Sequence, residues 1–324
     1  METGNFDKRV LATEIDHLDA GKRIDNWLTS RFTYHSRNQW QILIKQGLLK
    51  LNGVPTKSSR KLKDGDRVAF TLTKDEPPVD FTYSIEFEDD YLYIINKCGN
   101  LPCHPAGPFY RNTLWHHLTS QVGDIYIVNR LDRETSGLMI IAKDKATAAK
   151  LSAMISDDSI TKKYIAFVHG SVSEEMNASG YLVDDTKSII RKKRTFISAN
   201  TSQDLHNADY AETIIKPMRS STVLSQVECI LKTGRLHQIR ATLYSLGYPM
   251  VGDKLYGLDD TMYLRLPADT LNSRDWAKLI LSRQALHAYH LSFKHPVTAE
   301  TVSIEIPLPT EMDFSAIKAQ ATLL

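Results

Sequence analysis

The chain has 324 residues, 42% of them hydrophobic and 24% charged, with a formal net charge of +2. That balance excludes a disordered or fibrous chain and fits a globular protein with room for one large core and a small additional domain. Three cysteines exclude a disulfide framework and point to a reducing compartment, the cytoplasm; no apolar run reaches membrane-spanning length, and the first residues show no signal or transit pattern.

In chain order, the first predicted domain covers residues 15–75. Ile24, Trp27 and Leu28 recur at helical spacing, and Ser36 is placed to cap a second helix carrying Trp40, Leu43 and Ile44, which Gly47 stops. Asn52-Gly53 is a hairpin signal, and Lys63-Asp64-Gly65-Asp66 is a turn leading into Val68-Ala69-Phe70. Between Gly21 and Arg67, eleven lysines and arginines stand against three aspartates, a net of +8 that leaves −6 for the rest of the chain. A basic module on a near-neutral body suits docking to a phosphate backbone. Residues 76–82, opened by Glu76-Pro77-Pro78, read as a linker.

The body, residues 83–324, shows strand patterns at 91–96, 125–131, 138–142, 163–168, 223–231, 286–293 and 301–306. Helical patterns occupy 113–120, 144–156, 235–246 and 273–284. Their irregular alternation predicts an α+β fold with a mixed, largely antiparallel sheet rather than a doubly wound one. The polar stretch 171–210 reads as an insertion or hairpin, and its run Arg191-Lys192-Lys193-Arg194 suits either RNA contact or a solvated loop.

Residues 129–137, Asn-Arg-Leu-Asp-Arg-Glu-Thr-Ser-Gly, are the most informative in the chain. If the strand of Ile125–Leu131 runs on, Arg130 and Asp132 project from one face, and Thr135, Ser136 and Gly137 supply a turn. A carboxylate beside positive charge can stay ionised and be aimed at a substrate. The same string also suits a surface ion pair or a hydrogen-bonded turn. Lys162-Lys163-Tyr164 sets a phenol on a strand, and Gly234-Arg235-Leu236-His237-Gln238-Ile239-Arg240 turns into a helix with His237 and Arg240 three apart on one face. Cys98, Cys103, His104, His116 and His117 are clustered but lack the paired spacing of a zinc site, and no nucleotide-cofactor fingerprint occurs.

Together these segments resemble the RluA family of RNA pseudouridine synthases. The family's His-Arg-Leu-Asp-x-x-Thr-Ser-Gly, Lys-x-Tyr-x-Ala, Gly-Arg-x-His-Gln-Ile-Arg and Gly-Asp-x-x-Tyr-Gly are matched in order around Asp132, Tyr164, Arg240 and Asp253. Segment 15–75 resembles the S4-type RNA-binding domain through Arg23-Ile24-Asp25, Ser36-Arg37, Ile44-Lys45-Gln46-Gly47, Leu51-Asn52-Gly53 and Asp64-Gly65-Asp66. The resemblance implies conversion of uridine to pseudouridine in RNA, with large-subunit ribosomal RNA as substrate, transfer RNA as the runner-up, and a non-catalytic RNA-binding assembly factor as the competing class. It implies Asp132 as catalytic acid, Arg240 as its partner and Tyr164 as the base platform. It implies Arg130, Asn129, His237 and Arg235, with Arg37, Lys45 and Asn52 of the small domain, as RNA or base contacts. It implies no cofactor, no metal, no membrane and action as a monomer. Asn129 stands where the family has histidine, Cys98 where it has proline, and Leu236 where it has a small hydroxyl residue.

Overall fold

The computed structural model describes residues 10–32, 37–71, 76–200, 208–266 and 270–324. Ser36, the expected cap, lies outside them. The chain divides into two compact units, Met1–Pro78 with His104–His116, and Val79–Cys103 with His117–Leu324.

The first unit holds strands β1 (Val10–Glu14), β2 (Leu49–Leu51), β3 (Val54–Pro55) and β4 (Arg67–Thr71), ordered β1-β4-β2-β3, with helices α1 (Ile24–Arg31) and α2 (Arg37–Lys45). Ile24, Trp27 and Leu28 of α1 and Trp40 and Ile44 of α2 are buried against Leu49, Leu51, Val68 and Phe70. Each such side chain contributes about 1.5–3 kcal/mol when fully removed from water. Asn52 (φ +52°) and Gly53 (φ +82°) turn the β2–β3 hairpin, both in the positive-φ region that a two-residue turn of this twist requires. Segment 104–116, which the sequence boundaries left in the body, belongs to this unit. Its link is the Glu76 carboxylate, which accepts from the amides of Tyr110 (2.8 Å), Arg111 (2.9 Å) and Asn112 (2.7 Å). The start of the linker is therefore tethered.

The second unit is built on one sheet. Its elements are β5 (Tyr83–Glu88), β6 (Leu92–Lys97), α3 (Leu114–Val122, begun in the first unit), β7 (Tyr126–Ile127), β8 (Ser136–Ala142), α4 (Lys145–Ser156), β9 (Thr161–His169), β10 (Met176–Asp184), β11 (Arg194–Ser198), β12 (Asp209–Ser220), β13 (Leu224–Leu231), α5 (Gln238–Ser245), α6 (Thr261–Arg265), α7 (Ser273–Leu279), β14 (Leu286–Lys294), β15 (Thr301–Glu305) and α8 (Phe314–Ala321). Strand order is β11-β10-β12-β13-β9-β14-β8-β6-β5, with β15 on β14 and β7 on β8. The sheet is mixed and largely antiparallel, as expected for the α+β class; the parallel pair is β14 with β8, where His287 and Ala288 lie beside Ser136 and Gly137. Gly137 (φ +115°) is obligatory at this seam, because a β-carbon would stand 2.2 Å from the Ala288 carbonyl oxygen.

Alternation along β9 sends Ile165 and Phe167 into one core with Val251, Phe314 and Ile317, and turns Tyr164 to the other face. A second core joins Leu92, Ile94, Leu138, Ile140, Leu151, Leu291 and Phe293. Several expectations are corrected. The strand expected over 125–131 is only Tyr126–Ile127, and Ser136 and Gly137 open β8 rather than close a turn. Of the two readings of 171–210, the hairpin holds: β10 and β11 pair antiparallel at the sheet's end, and the stretch also supplies the start of β12. Helix α5 begins at Gln238, and α7 ends at Leu279. Among the described residues, no helix is long and apolar enough to cross a membrane.

Candidate active site

Asp132 lies in the loop between β7 and β8, immediately before the seam, rather than on a strand end. A turn holds this loop, with the Thr135 amide donating to the Asp132 carbonyl (3.1 Å). Beneath it, the fully buried Lys97 donates to the carbonyls of Cys98 (2.7 Å) and Arg133 (3.3 Å). Burial depresses the Lys97 ammonium to about 8.

Helix α5 is anchored at its first residue. The buried Gln238 accepts from the Arg235 amide (2.9 Å) and donates to the Glu212 carbonyl (3.0 Å) and the Thr213 hydroxyl (2.9 Å) of β12. This fixes Arg240, whose guanidinium is shared by two carboxylates. Nε and Nη2 donate to Asp253 (2.6 and 2.9 Å), and Nη1 donates to Asp132 (2.7 Å). Asp253 is 0% exposed, Arg240 10% and Asp132 28% at the side chain, so the pair is enclosed while its outer carboxylate keeps an open edge. The Asp253 carboxylate also accepts from the amides of Leu255 (2.9 Å) and Tyr256 (3.0 Å), which orients it.

The electrostatics follow. Burial pushes the Asp132 carboxyl up, but the Arg240 charge and the Arg240 hydrogen bond more than offset it and bring it down to about 2. Burial pushes the Tyr164 phenol well above its ordinary value, and the Asp132 charge adds to that. Tyr164 is 7% exposed and close enough to feel Asp132, so the site presents a carboxylate and a neutral phenol together. Burial and the Arg240 charge depress the His237 imidazole to about 4.

The structure therefore brings together Asp132, Tyr164, Arg240 and His237. It departs from expectation at His237, which caps α5 in the left-handed region (φ +56°) instead of sharing a helical face with Arg240. Arg130 is exposed in the same loop, two residues before Asp132. Asn129 is turned inward: its Oδ1 accepts from the Ile140 amide (2.7 Å) and its Nδ2 donates to the Leu138 carbonyl (3.5 Å), so its amide clamps the loop to β8. Arg235 leaves the cluster, its Nε donating to the Tyr210 carbonyl (3.0 Å). Asp253 and Tyr256 were carried in the matched Gly-Asp-x-x-Tyr-Gly motif without a role; that motif was their signal. In the basic run, Lys193 is 3% exposed and bonded to Asp260 (2.7 Å), and Arg194 bonds the Leu182 carbonyl and Asp209. Only Arg191 and Lys192 of the four are exposed.

In the first unit, Asp25 is fully buried and accepts from Arg23, from Arg37 (3.0 Å) and from Gln41 (2.8 Å). Burial pushes the Asp25 carboxyl up, but these bonds hold it far below its usual range. Arg37 is thus half committed to the fold, with 50% of its side chain exposed. Asn52 is a turn lock, donating to Asp66 (2.8 Å) and accepting from the Arg67 amide (2.7 Å). Lys45 is exposed at the end of α2. Among the described residues, no three His, Cys, Asp or Glu side chains converge as a metal site.

Comparison with known proteins adds the remaining finding. The RNA pseudouridylate synthase family model matches residues 91–245, and the S4 domain model matches residues 22–68. The uncharacterized RNA pseudouridine synthase YlyB of Bacillus subtilis is 32% identical over 306 residues, covering 90% of this chain and 92% of that protein. The ribosomal large subunit pseudouridine synthase D of Zymomonas mobilis is 31% identical over 308 residues, covering 90% of this chain and 92% of that protein. Among solved structures, human RNA pseudouridylate synthase domain containing 1 aligns with a TM-score of 0.56 at 23% identity, covering 74% of this chain and 89% of that one, which shows the shared fold.

Proposed function

The chain belongs to the RNA pseudouridine synthase family, and from that premise we propose that it isomerises uridines of large-subunit ribosomal RNA, with Asp132 as the catalytic carboxylate. The observation that carries the assignment is the Arg240–Asp132 pair, 2.7 Å apart at the open edge of an otherwise enclosed site that also holds Tyr164.

The reaction breaks the bond from ribose C1′ to N1 of uracil and forms one from C1′ to C5. The proton leaves C5 and N1 gains one, so substrate and product are isomers and the stoichiometry calls for no cofactor. An ionised carboxylate must meet the nucleotide at the reacting centre, and the depression of Asp132 to about 2 keeps it ionised at neutral pH. Arg240, held by Asp253, keeps that carboxylate aimed. Tyr164 offers an aromatic face to hold the loosened base, and enters as phenol rather than phenolate. A uridine in folded RNA must first leave its stack, which costs a few kcal/mol. The exposed Arg130, in the same loop, is suited to filling the vacated place.

The first unit supplies docking: its exposed lysines, Lys45 among them, meet the phosphate backbone. Residues 15–75 act as the RNA-binding domain, 76–82 as the connection and 83–324 as the catalytic domain, in a protein that works as a single chain in the cytoplasm. The substrate assignment draws on the name of the similar ribosomal large subunit pseudouridine synthase D. Mapping pseudouridines in cellular RNA with and without the gene tests it. Loss of one or more sites confined to large-subunit ribosomal RNA is expected; loss in transfer RNA alone, or no loss, overturns it.

A further inference from the structure

Tyr256 is 0% exposed, and its hydroxyl has two partners. The backbone amide of Arg194, at the start of β11, lies 2.9 Å away, and Nδ1 of His237 lies 3.0 Å away. An amide can only donate, so the phenol oxygen accepts from Arg194. The phenol has one proton of its own, and His237 is its other hydrogen-bond partner. If Nδ1 carried a proton and pointed it at the same oxygen, the phenol proton would be buried without an acceptor, which is costly. The Tyr256 hydroxyl therefore donates to Nδ1, and the imidazole proton is on Nε2.

The surroundings keep this arrangement neutral. Burial and the Arg240 guanidinium disfavour the imidazolium, as does the Lys192 ammonium, and together they outweigh Asp132 and Asp253, which favour it. The Tyr256 ring lies edge-on to the imidazole at 5.5 Å and 5.0 Å from the Arg240 guanidinium carbon, so one side chain braces both groups. His237 is held with φ +56°, a region that side chains bearing a β-carbon seldom adopt and that is retained where the surroundings over-determine it.

We propose that Tyr256 fixes His237 as the neutral Nε2–H tautomer, and that His237 is a hydrogen-bond donor to a uracil carbonyl oxygen of the nucleotide held at Asp132. This rests on the reading given under Proposed function. Whether the carboxylate acts on the ribose or on the ring, negative charge develops on the detaching uracil and settles on its carbonyl oxygens. A preorganised neutral donor serves there without discharging the adjacent carboxylate. His237 would touch the substrate, whereas Tyr256 is a positioning residue that acts through it.

Two measurements on the full chain test this. Nitrogen-15 NMR of the imidazole groups, assigned by the signal lost in His237→Gln, should show a protonated Nε2 and a bare Nδ1 near neutral pH. The Tyr256→Phe variant should shift the Nδ1 resonance. In single-turnover assays on ribosomal RNA, His237→Leu should lose roughly 10- to 100-fold in rate while RNA affinity changes by no more than about threefold. His237→Gln, whose amide N–H reaches close to the Nε2 position, should recover most of that loss at equal melting temperature. A proton on Nδ1 in the wild type overturns the tautomer. An effect of His237→Leu on affinity alone, or a His237→Gln variant as slow as His237→Leu though equally folded, overturns the donor role. A wild-type chain that makes no pseudouridine on that RNA would instead overturn the functional reading, and the NMR result would still stand or fall by itself.

Discussion

Asp253→Asn is the sharpest probe of how the site is held. The substitution keeps shape and removes one negative charge. In the wild type, four donors converge on this carboxylate: Arg240 Nε at 2.6 Å, Arg240 Nη2 at 2.9 Å, and the amides of Leu255 at 2.9 Å and Tyr256 at 3.0 Å. An asparagine has one carbonyl oxygen. If that oxygen keeps the two amides and Nη2, the new NH2 group faces Nε, donor against donor, and the guanidinium must swing. A charged hydrogen bond is worth about 1.5–3 kcal/mol, and breaking a buried pair costs about 3–5 kcal/mol. Asp132 remains as a counterion, so a loss of about 3 kcal/mol is expected, equivalent to about 6–12 °C in melting temperature for a unit of this size. Because Arg240 aims Asp132 through its third nitrogen, the single-turnover rate should fall about 100-fold while RNA affinity stays within about threefold. Thermal melting, filter binding and single-turnover assays on ribosomal RNA check these together. A variant that melts and reacts like the wild type would refute the claim that Asp253 orients Arg240.

Other expectations follow from single contacts. Asn129→Ala strands the buried Ile140 amide and should cost about 1–3 kcal/mol in denaturant melts. Arg130→Ala, at an exposed position, should leave stability within about 0.5 kcal/mol and slow the reaction on structured RNA. His287 is 1% exposed, and burial depresses its imidazole to about 4. The unfolded chain, with a value near 6.5, binds the extra proton first on acidification. The resulting stability is full above about pH 6.5 and is lost as pH falls through about 4, up to about 3 kcal/mol. Urea melts at pH 7 and pH 4.5 should show this loss, and His287→Gln should reduce it. Lys45→Ala should lower the slope of log affinity against log salt by about 1, and an unchanged slope would remove Lys45 from the RNA interface.

The grouping of Asp132, Tyr164 and Arg240 was legible because the motifs around them name residue types at fixed spacing. The small unit's core was legible because Ile24, Trp27, Leu28, Trp40 and Ile44 obey helical periodicity, and Asn52-Gly53 can make few other turns. Strands β10 to β12 were legible only as a possible hairpin, because small or polar residues such as Ala178 and Thr213 share the inward positions with Leu182, Phe196 and Ile215 and weaken the alternation. The strand expected before Asp132 failed for a local reason. The Asn129 side chain takes over the Ile140 amide, ending the ladder two residues after Ile127 and releasing Asp132 into a loop. Asp253 was invisible as a partner of Arg240 because a carboxylate thirteen residues away acquires that role only when the loop after α5 folds back. Likewise Asn129, Arg235 and Arg37, all polar and all in matched motifs, are drawn into hydrogen bonds within the fold that no pattern announces.

The proposed reaction needs a negatively charged oxygen at position 132. Asp132→Asn removes the charge with little change of volume, and the measurement is pseudouridine formed on ribosomal RNA by purified protein, alongside RNA affinity. Affinity within about threefold of the wild type and no product above background are expected. Product formed by the variant at the wild-type rate would contradict that requirement.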